Sequence, residues 1–266
     1  MKGERLPTSQ ALAGDLADII ESRSALGGLA VSAGRRSGYI VVDKFGNNPD
    51  VDAAEDIWNG GGDYMGFPTS GVAETVQVFS SSAADASAGT GARTCTIYGL
   101  GSAWQIQQEA ITLNGTTPVV STQTWQRVNR CIINTAGSGG ANAGIITCRH
   151  STTTANVFLA MPAGMNQTLV AAYTIPAGYT GYRYRLSSEC IDSTANSAKM
   201  ALLVRPFGGV FNTKRVFMVS SNYRYEEDLV FPAVYAEKTD IKVRCTSVQN
   251  ANADITAHFV ILLVPN

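Results

Sequence analysis

Short β-type runs separated by turn residues fill most of the sequence, and this pattern limits the fold more than any other feature. From Glu74 onward, twelve runs are rich in Val, Ile, Thr and aromatic residues. Asn114-Gly115 is typical of a tight hairpin, and no strong helical pattern interrupts the series, which excludes parallel βαβ units. We therefore predict an all-β fold, an antiparallel β-sandwich of the jelly-roll or immunoglobulin kind. The predicted strands are 74–80, 92–99, 105–113, 126–134, 143–149, 168–175, 181–188, 199–206, 214–221, 228–234, 240–247 and 255–264.

The first 57 residues have a different pattern. One apolar helical stripe begins after a candidate N-cap, Ser9, and is expected to stop at Gly27 or Gly28. The next segment mixes a short apolar run with turn residues and predicts an extended arm that docks on another surface. Residues 1–57 are thus assigned to a helix and arm for attachment or oligomer contact, and residues 58–266 to a β region of one lobe or two. The stripe consists of Leu12, Leu16, Ile19 and Ile20.

The composition argues against several classes of partner. Only 15% of the residues are charged, against roughly 25% in typical soluble domains, and the net charge is −1. Because Lys and Arg are scattered, we expect no nucleic-acid partner. No apolar run approaches the roughly 20 residues of a membrane-spanning helix, and the start lacks the apolar core of a signal peptide, so we expect no membrane partner and synthesis in a cytoplasm.

The residues that usually carry chemistry are few. The five cysteines form no CxxC pair and are expected to be buried small hydrophobes. Only His150 and His258 could serve a catalytic triad; His258 lies in an apolar strand, and no GxSxG motif occurs. The acidic run at residues 50–56 lacks the glycine and glutamate of a calcium loop. We therefore predict no catalytic residues, no cofactor, no metal and no enzymatic activity.

The glycine-rich stretch GTGAR, at residues 89–93, could in principle hold a phosphate. A phosphate loop of that kind needs a helix after it, so that backbone N–H groups and the helix dipole point at the anion. Here an alternating strand follows, and the preceding SSSAADASAG resembles a flexible crossover. The glycines are therefore expected only to let the chain turn sharply into a strand.

Seven longer motifs follow one another along the chain: DKFGNNPDVDAAEDIWNGGGDYMGFP, SSSAADASAGTGARTCTIYGL, EAITLNGTTPV, RVNRCIINTAGSGGANAGIIT, YTIPAGYTGY, LLVRPFGGVF and PAVYAEKTDIKVRC. In this order they resemble a family of virion structural proteins of tailed bacteriophages. The resemblance spans about residues 43 to 266, and the segment up to about Val42 lies outside it. It implies a non-enzymatic virion component, used as head decoration, head fibre or tail-associated protein, and it offers no family catalytic residues to carry over.

These observations lead to one functional prediction and two alternatives. The prediction is a capsid decoration or cement protein that covers or stabilises the phage head, located on the capsid surface. Its partners are expected to be itself, as a homotrimer, and the major capsid protein or other virion proteins. One alternative is a virion-associated hydrolase. The other is a receptor- or carbohydrate-binding protein of a head fibre or tail, in which host surface glycans would stack on Trp58, Trp104, Trp125, Tyr179, Tyr182 and Tyr184.

The N-terminal stripe is expected to make the partner contacts. An isolated helix of this length is marginal in water, so it must pack on another surface. The linker GGLAVSAGRRSG gives it reach, and Arg35 and Arg36 are candidates to pair with acidic groups of a neighbour. The predicted contact residues are thus Leu12, Leu16, Ile19, Ile20, Arg35 and Arg36.

Overall fold

The computed structural model describes residues 25–67, 72–192 and 195–266, and nearly all of their regular secondary structure is antiparallel strand. The all-β prediction is therefore confirmed. One helix is described, α1 (Ala25–Ser32). The strands are β1 (Ile40–Val51), β2 (Val76–Ser80), β3 (Ala92–Leu100), β4 (Ile106–Thr112), β5 (Val119–Val120), β6 (Arg127–Ala136), β7 (Ile146–His150), β8 (Val157–Met161), β9 (Ala172–Thr174), β10 (Tyr179–Cys190), β11 (Ser197–Arg205), β12 (Asn212–Ser220), β13 (Tyr225–Tyr235), β14 (Asp240–Val248) and β15 (Ala253–Pro265).

The strands form two lobes, each around its own apolar core. The first lobe contains β1 and β9 to β15, and its core includes Leu186 and Phe259 from one sheet and Met200 from the other. The inserted lobe contains β2 to β8, and its core includes Ile97 and Leu159. In both lobes alternate residues of each strand point inward, since successive side chains of a strand lie on opposite faces.

The first lobe is a sandwich of two four-stranded sheets. Sheet 1 has the order β1-β15-β10-β13, and sheet 2 has the order β12-β11-β14-β9. Counted within the lobe, these are strands 1-8-3-6 and 5-4-7-2, so the chain crosses repeatedly between the sheets as two Greek keys do. The molecule as a whole, with four sheets in two lobes, is not a jelly roll; the first lobe taken alone has the strand order of one.

The inserted lobe interrupts the first lobe between its first two strands. Its sheets have the orders β5-β2-β7-β8 and β4-β3-β6. The chain leaves the first core after Ile57, enters the second with Trp58, and returns to the first at Ala171. Residue 57 therefore marks the entry into the inserted lobe. It does not mark the end of an arm, because residues 40–51 already pair with β15 along the length of sheet 1.

The predicted helix stop at Gly27 or Gly28 is wrong, because both residues lie within α1. The helix passes through Gly27 and Gly28 and stops before Gly34, which has a left-handed φ of 68°. The Gly34 N–H donates to the Val31 carbonyl and the Arg35 N–H to the Ala30 carbonyl, each at 2.9 Å. This is the Schellman arrangement, in which a left-handed glycine closes a helix. Within the described residues, no helix combines the length and apolar character needed to span a membrane.

Candidate functional site

A dense polar site joins the two lobes. Arg127, at the start of β6 in the inserted lobe, holds Asp240 of β14 through two bonds, Nε–Oδ1 at 2.9 Å and Nη2–Oδ2 at 3.1 Å. Arg205 of β11 binds the same carboxylate at 2.8 and 2.6 Å. Arg127 and Asp240 are buried, so each needs the other's charge. We call Arg127, Arg205 and Asp240 the interlobe joint.

Aromatic rings surround the interlobe joint. The Arg127 guanidinium lies 4.7 Å from the Trp104 ring and 5.6 Å from the Phe67 ring. The Arg205 guanidinium lies 4.7 Å from the ring of Phe211. Cation–π contacts of this kind strengthen when water is excluded. The joint therefore fixes the lobes through both charge and packing.

A second polar link between the lobes runs through a buried lysine. Lys44 of β1 donates from Nζ to the backbone carbonyl of Asn129 in β6 at 2.6 Å. Burial, and beside it the Arg130 charge, lower the pKa of Lys44 well below its ordinary value of 10.5. Nearby, Arg130 donates to the Asp43 carbonyl at 2.7 Å. Lys44 thus forms a short link at the edge of sheet 1.

The loop that contains GTGAR is organised by Asp85. This fully buried carboxylate accepts hydrogen bonds from Ser80 Oγ (2.5 Å) and from the backbone N–H groups of Ala92 (2.7 Å), Ala143 (2.8 Å) and Gly144 (2.8 Å). Burial opposes its ionisation, but these bonds outweigh that effect and lower the pKa of Asp85. The region is therefore tightly bonded rather than a flexible crossover.

The GTGAR glycines serve close backbone approach. A Cβ at Gly91 would collide with Asp85 Oδ1, and one at Gly89 with the Ala84 carbonyl. The Ala92 N–H, which a phosphate loop would leave free for an anion, is already bound to Asp85. The chain does turn here into β3, as predicted, but the glycines are required by close backbone approach and not by a left-handed φ.

The two histidines occupy structural positions. His150 Nδ1 accepts the N–H groups of Thr152 at 3.1 Å and Thr153 at 2.9 Å, which closes the turn after β7. Its Nε2 lies 3.6 Å from Glu74 Oε2. The predicted burial of the cysteines is also confirmed, since all five are free and buried.

His258 lies in a row with Asp43 and Ser187, and these are the three residue types of a catalytic triad. Its Nε2 lies 2.9 Å from Asp43 Oδ1, and its Nδ1 lies 3.4 Å from Ser187 Oγ. The row crosses three neighbouring strands of sheet 1. Its central strand, β15, is hydrogen-bonded on both sides, so its N–H groups are used by the ladders and leave none for an oxyanion hole. The row links three neighbouring strands of sheet 1.

The acidic run at residues 50–56 is used for structure. Burial opposes ionisation of Glu55, but bonds from Gly62 and Asn48 outweigh it and lower the pKa of this carboxyl. Asp56 pairs with Lys242 at 2.7 Å and Arg244 at 3.2 Å. In the part of the chain that the structure describes, no group of three or more His, Cys, Asp or Glu side chains is placed to hold a metal ion.

Half of the aromatic residues proposed for sugar stacking are buried. Trp58, Trp104 and Trp125 belong to the buried set, Tyr179 and Tyr182 are half-buried, and Tyr184 is 39% exposed. One cleft of about 380 Å³ does lie beside Trp125, lined also by Glu74, His150 and Asn156. Within the described structure the Trp125 Nε1 atom is buried without a hydrogen-bond partner.

The predicted partner contacts are only partly within the described residues. Leu12, Leu16, Ile19 and Ile20 lie outside them. Arg35 is exposed just after α1, and Arg36 is half-buried. Their role remains a prediction. The interlobe joint, Lys44 and Asp85 were not identified from the sequence, because their partners are far apart along the chain.

The chain was compared with known proteins. No protein-family model and no curated protein matches it. Among solved structures, a chain of the T13 viral particle of infectious bursal disease virus is similar at 9% identity, with 85% of this chain and 70% of that chain covered and a TM-score of 0.23. The Gx strain of the same virus gives 10% identity, 86% and 73% coverage and a TM-score of 0.24. Likeness this weak carries no argument, and the tailed-phage resemblance remains a proposal.

Proposed function

We propose that this chain is a non-enzymatic structural protein of a virion, and specifically a decoration or cement protein of a tailed-phage head. The observation that carries the proposal is the topology of the first lobe. Eight-stranded sandwiches of two Greek keys recur in viral capsid and lectin domains. The order of motifs that resembles tailed-phage virion proteins supports the narrower assignment.

The polar side chains that could have carried chemistry are bonded within the chain, which agrees with a structural role. His150, His258, Glu55, Asp56 and Asp85 each bond to other parts of the chain. The interlobe joint holds the two lobes against each other through buried charge. A shell protein needs such a fixed shape, because symmetric contacts repeat any error of geometry in every copy.

The proposed location is the capsid surface, after synthesis in the host cytoplasm. The proposed partners are other copies of the chain, in a homotrimer, and the major capsid protein. Attachment is assigned to the N-terminal stripe of Leu12, Leu16, Ile19 and Ile20, with Arg35 and Arg36 beside it. Many weak contacts of this kind would together give firm binding to the shell.

The composition of purified particles tests the virion role. We expect quantitative mass spectrometry of virions from the phage that encodes this chain to find it at a fixed, symmetry-related ratio to the major capsid protein. Absence from purified particles would overturn the proposal. Attachment is tested with the full chain carrying Ser at the four stripe positions, rebound to particles stripped of the protein. Occupancy equal to that of the unchanged chain would exclude the stripe as the anchor.

The cleft beside Trp125 favours one second candidate, a receptor- or glycan-binding role of a head fibre or tail. A buried indole N–H without a partner is costly and would be satisfied by a ligand oxygen. Glu74, His150 and Asn156 offer further polar contacts to a sugar. We expect a glycan array to show a ligand, and Trp125→Phe, which retains an aromatic ring but removes the donor, to weaken its binding. An array without any specific signal would exclude this candidate.

A further inference from the structure

The two edges of sheet 1 carry complementary features. At one edge, β13 contains a bulge: Arg183 pairs with Ala233 and Arg185 with Asp228, so four residues of β13 lie opposite Tyr184 alone. Within this bulge Val230 is 89% and Phe231 is 77% exposed. We call residues 229–232 the apolar knob. Bulges at sheet edges commonly redirect side chains and prevent further strand pairing.

At the opposite edge of sheet 1, β1 borders an apolar groove between the lobes. The groove measures about 260 Å³ and is lined by Val41 of the first lobe and by Tyr98, Ile106 and Ile132 of the inserted lobe, with Tyr173 beneath. Val41 and Ile106 are each 48% exposed. This volume is below the roughly 300–1,000 Å³ of small-molecule pockets, and it suits one or two protein side chains. We call it the interlobe groove.

We propose that the apolar knob of one copy of this chain inserts into the interlobe groove of a second copy. The knob and groove lie at opposite edges of a four-stranded sheet, roughly 14 Å apart at a spacing of about 4.8 Å per strand, so they cannot meet within one molecule. The contact is therefore between copies. It rests on the proposed self-assembly and specifies the surface.

Charge favours the same pairing. Asp228 precedes the knob, its side chain is 68% exposed, and its only described ion-pair contact is 3.7 Å from Arg185 Nε. The groove lining carries one basic and one acidic side chain at its surface, Arg130 and Asp43, and the Asp43 carboxylate is already paired with His258 Nε2 at 2.9 Å. Asp228 would thus meet the Arg130 guanidinium, the kind of charge pairing that fixes register at interfaces.

The geometry of this contact determines the kind of assembly. Different surfaces meet, so the contact is head-to-tail, and it closes into a ring when the rotation between copies allows. The homotrimer proposed above is one such ring. In protein interfaces a few residues supply most of the binding free energy, and a central aromatic side chain in an apolar pocket is often one of them.

Substitutions on both sides of the contact test it in the full-length chain. We expect Phe231→Glu in the knob and Ile106→Glu in the groove each to raise the Kd of the contact by at least about 30-fold, as loss of a central hot-spot residue does, and so to leave a monomer at about 50 µM. The matched control is Val216→Glu. Val216 is 55% exposed on β12, the edge strand of sheet 2, and this variant should retain the oligomeric mass.

Mixing the two variants tests the head-to-tail arrangement. Phe231→Glu retains an intact groove and Ile106→Glu an intact knob, so the mixture should form a dimer and grow no further. A monomeric unchanged chain at about 50 µM, an oligomer that survives either substitution, or a mixture that stays monomeric would each overturn the proposal.

Hydrogen exchange on the unchanged chain tests the same contact without relying on a variant that could misfold. Hydrogen exchange should show protection of both the knob and strands β1 and β4 when the chain is concentrated from about 0.5 to 50 µM. Protection of neither segment would overturn the proposal. A negative result here leaves the virion role to be decided by particle composition.

Discussion

The interlobe joint buries charged side chains, whereas the edges of sheet 1 expose apolar side chains. At the joint, Arg127 and Asp240 are buried and bind each other. At the sheet edges, Phe231 and Val230 of the knob face solvent. Buried charge that is well paired contributes more to a defined geometry than to stability, whereas exposed apolar side chains gathered at one place are typical of binding surfaces. The difference suggests that the joint sets the shape and the edges make the contacts.

Breaking the joint should have the largest effect. Asp240→Ala leaves the guanidinium groups of Arg127 and Arg205 without their shared carboxylate. We expect a loss of about 3–5 kcal/mol in the free energy of unfolding. Urea titration followed by tryptophan fluorescence measures it. Asp228→Ala, in an exposed pair, is the control and should cost no more than about 1 kcal/mol; equal losses would show that the joint is not specially stabilising.

Asp85 tests whether a buried, well-bonded carboxylate is also stabilising inside a single lobe. Asp85→Asn places an amide N–H₂ among four donors, and we expect a loss of about 2–3 kcal/mol at pH 7. Because the folded pKa is lowered, the contribution of the carboxylate is present above the unfolded pKa of about 3.9 and is lost as pH falls through the folded pKa.

The difference in unfolding free energy between the unchanged chain and Asp85→Asn should therefore shrink between pH 7 and pH 3. Glu109→Gln is the matched control. Glu109 also accepts several bonds, from Thr122 and Gln123, but in an exposed setting, so its loss should be below about 1 kcal/mol. A difference for Asp85→Asn that is unchanged by pH would contradict the assignment.

Lys44 should have a smaller effect, visible mainly in the pH dependence. Lys44→Met replaces a buried charge with an apolar side chain of similar length, and we expect a change within about 1 kcal/mol at pH 7. The folded pKa lies below the ordinary 10.5, so the folded state binds fewer protons than the unfolded state between those values. Stability of the unchanged chain should rise with pH in that window, and that of Lys44→Met should not. Parallel slopes would contradict the lowered pKa.

The knob should matter least to the fold of one copy. Phe231→Ser removes a side chain that is 77% exposed, so we expect less than about 0.5 kcal/mol of change in unfolding free energy measured at a concentration where the chain is monomeric. Thermal unfolding of dilute protein checks this. A large loss would mean that the knob packs within its own molecule.

The strand pattern of the sequence was informative where strands have one buried apolar face. The twelve predicted runs overlap β2, β3, β4, β6, β7 and β9 to β15. Strands β5 and β8 were missed, the first because it has two residues.

Strand β1 was missed for a physical reason. Its buried positions mix the apolar Val42 and Val51 with the polar Lys44 and Asn48, so the strand lacks a consistently apolar face. Val41, in the same irregular pattern, is exposed in the interlobe groove. The irregular polarity that prevented the prediction of β1 thus occurs at the proposed contact surface.

The polar sites could not be predicted because they depend on distant pairs. Arg127 and Asp240 are 113 positions apart, and Asp85 binds residues 58 and 59 positions away. Neither has a local motif. The turn at GTGAR was predicted, but its glycines are required by the close approach of Asp85 and of the Ala84 carbonyl, which the sequence did not reveal.

A map of the intact particle at side-chain resolution tests the central claim most directly, that this is a virion protein whose copies join through the edges of sheet 1. The account predicts symmetric clusters of this chain on the shell, with Phe231 of each copy seated between Val41 and Ile106 of its neighbour. Particles that lack the chain, or that carry it with the knob and the groove both facing solvent, would contradict it.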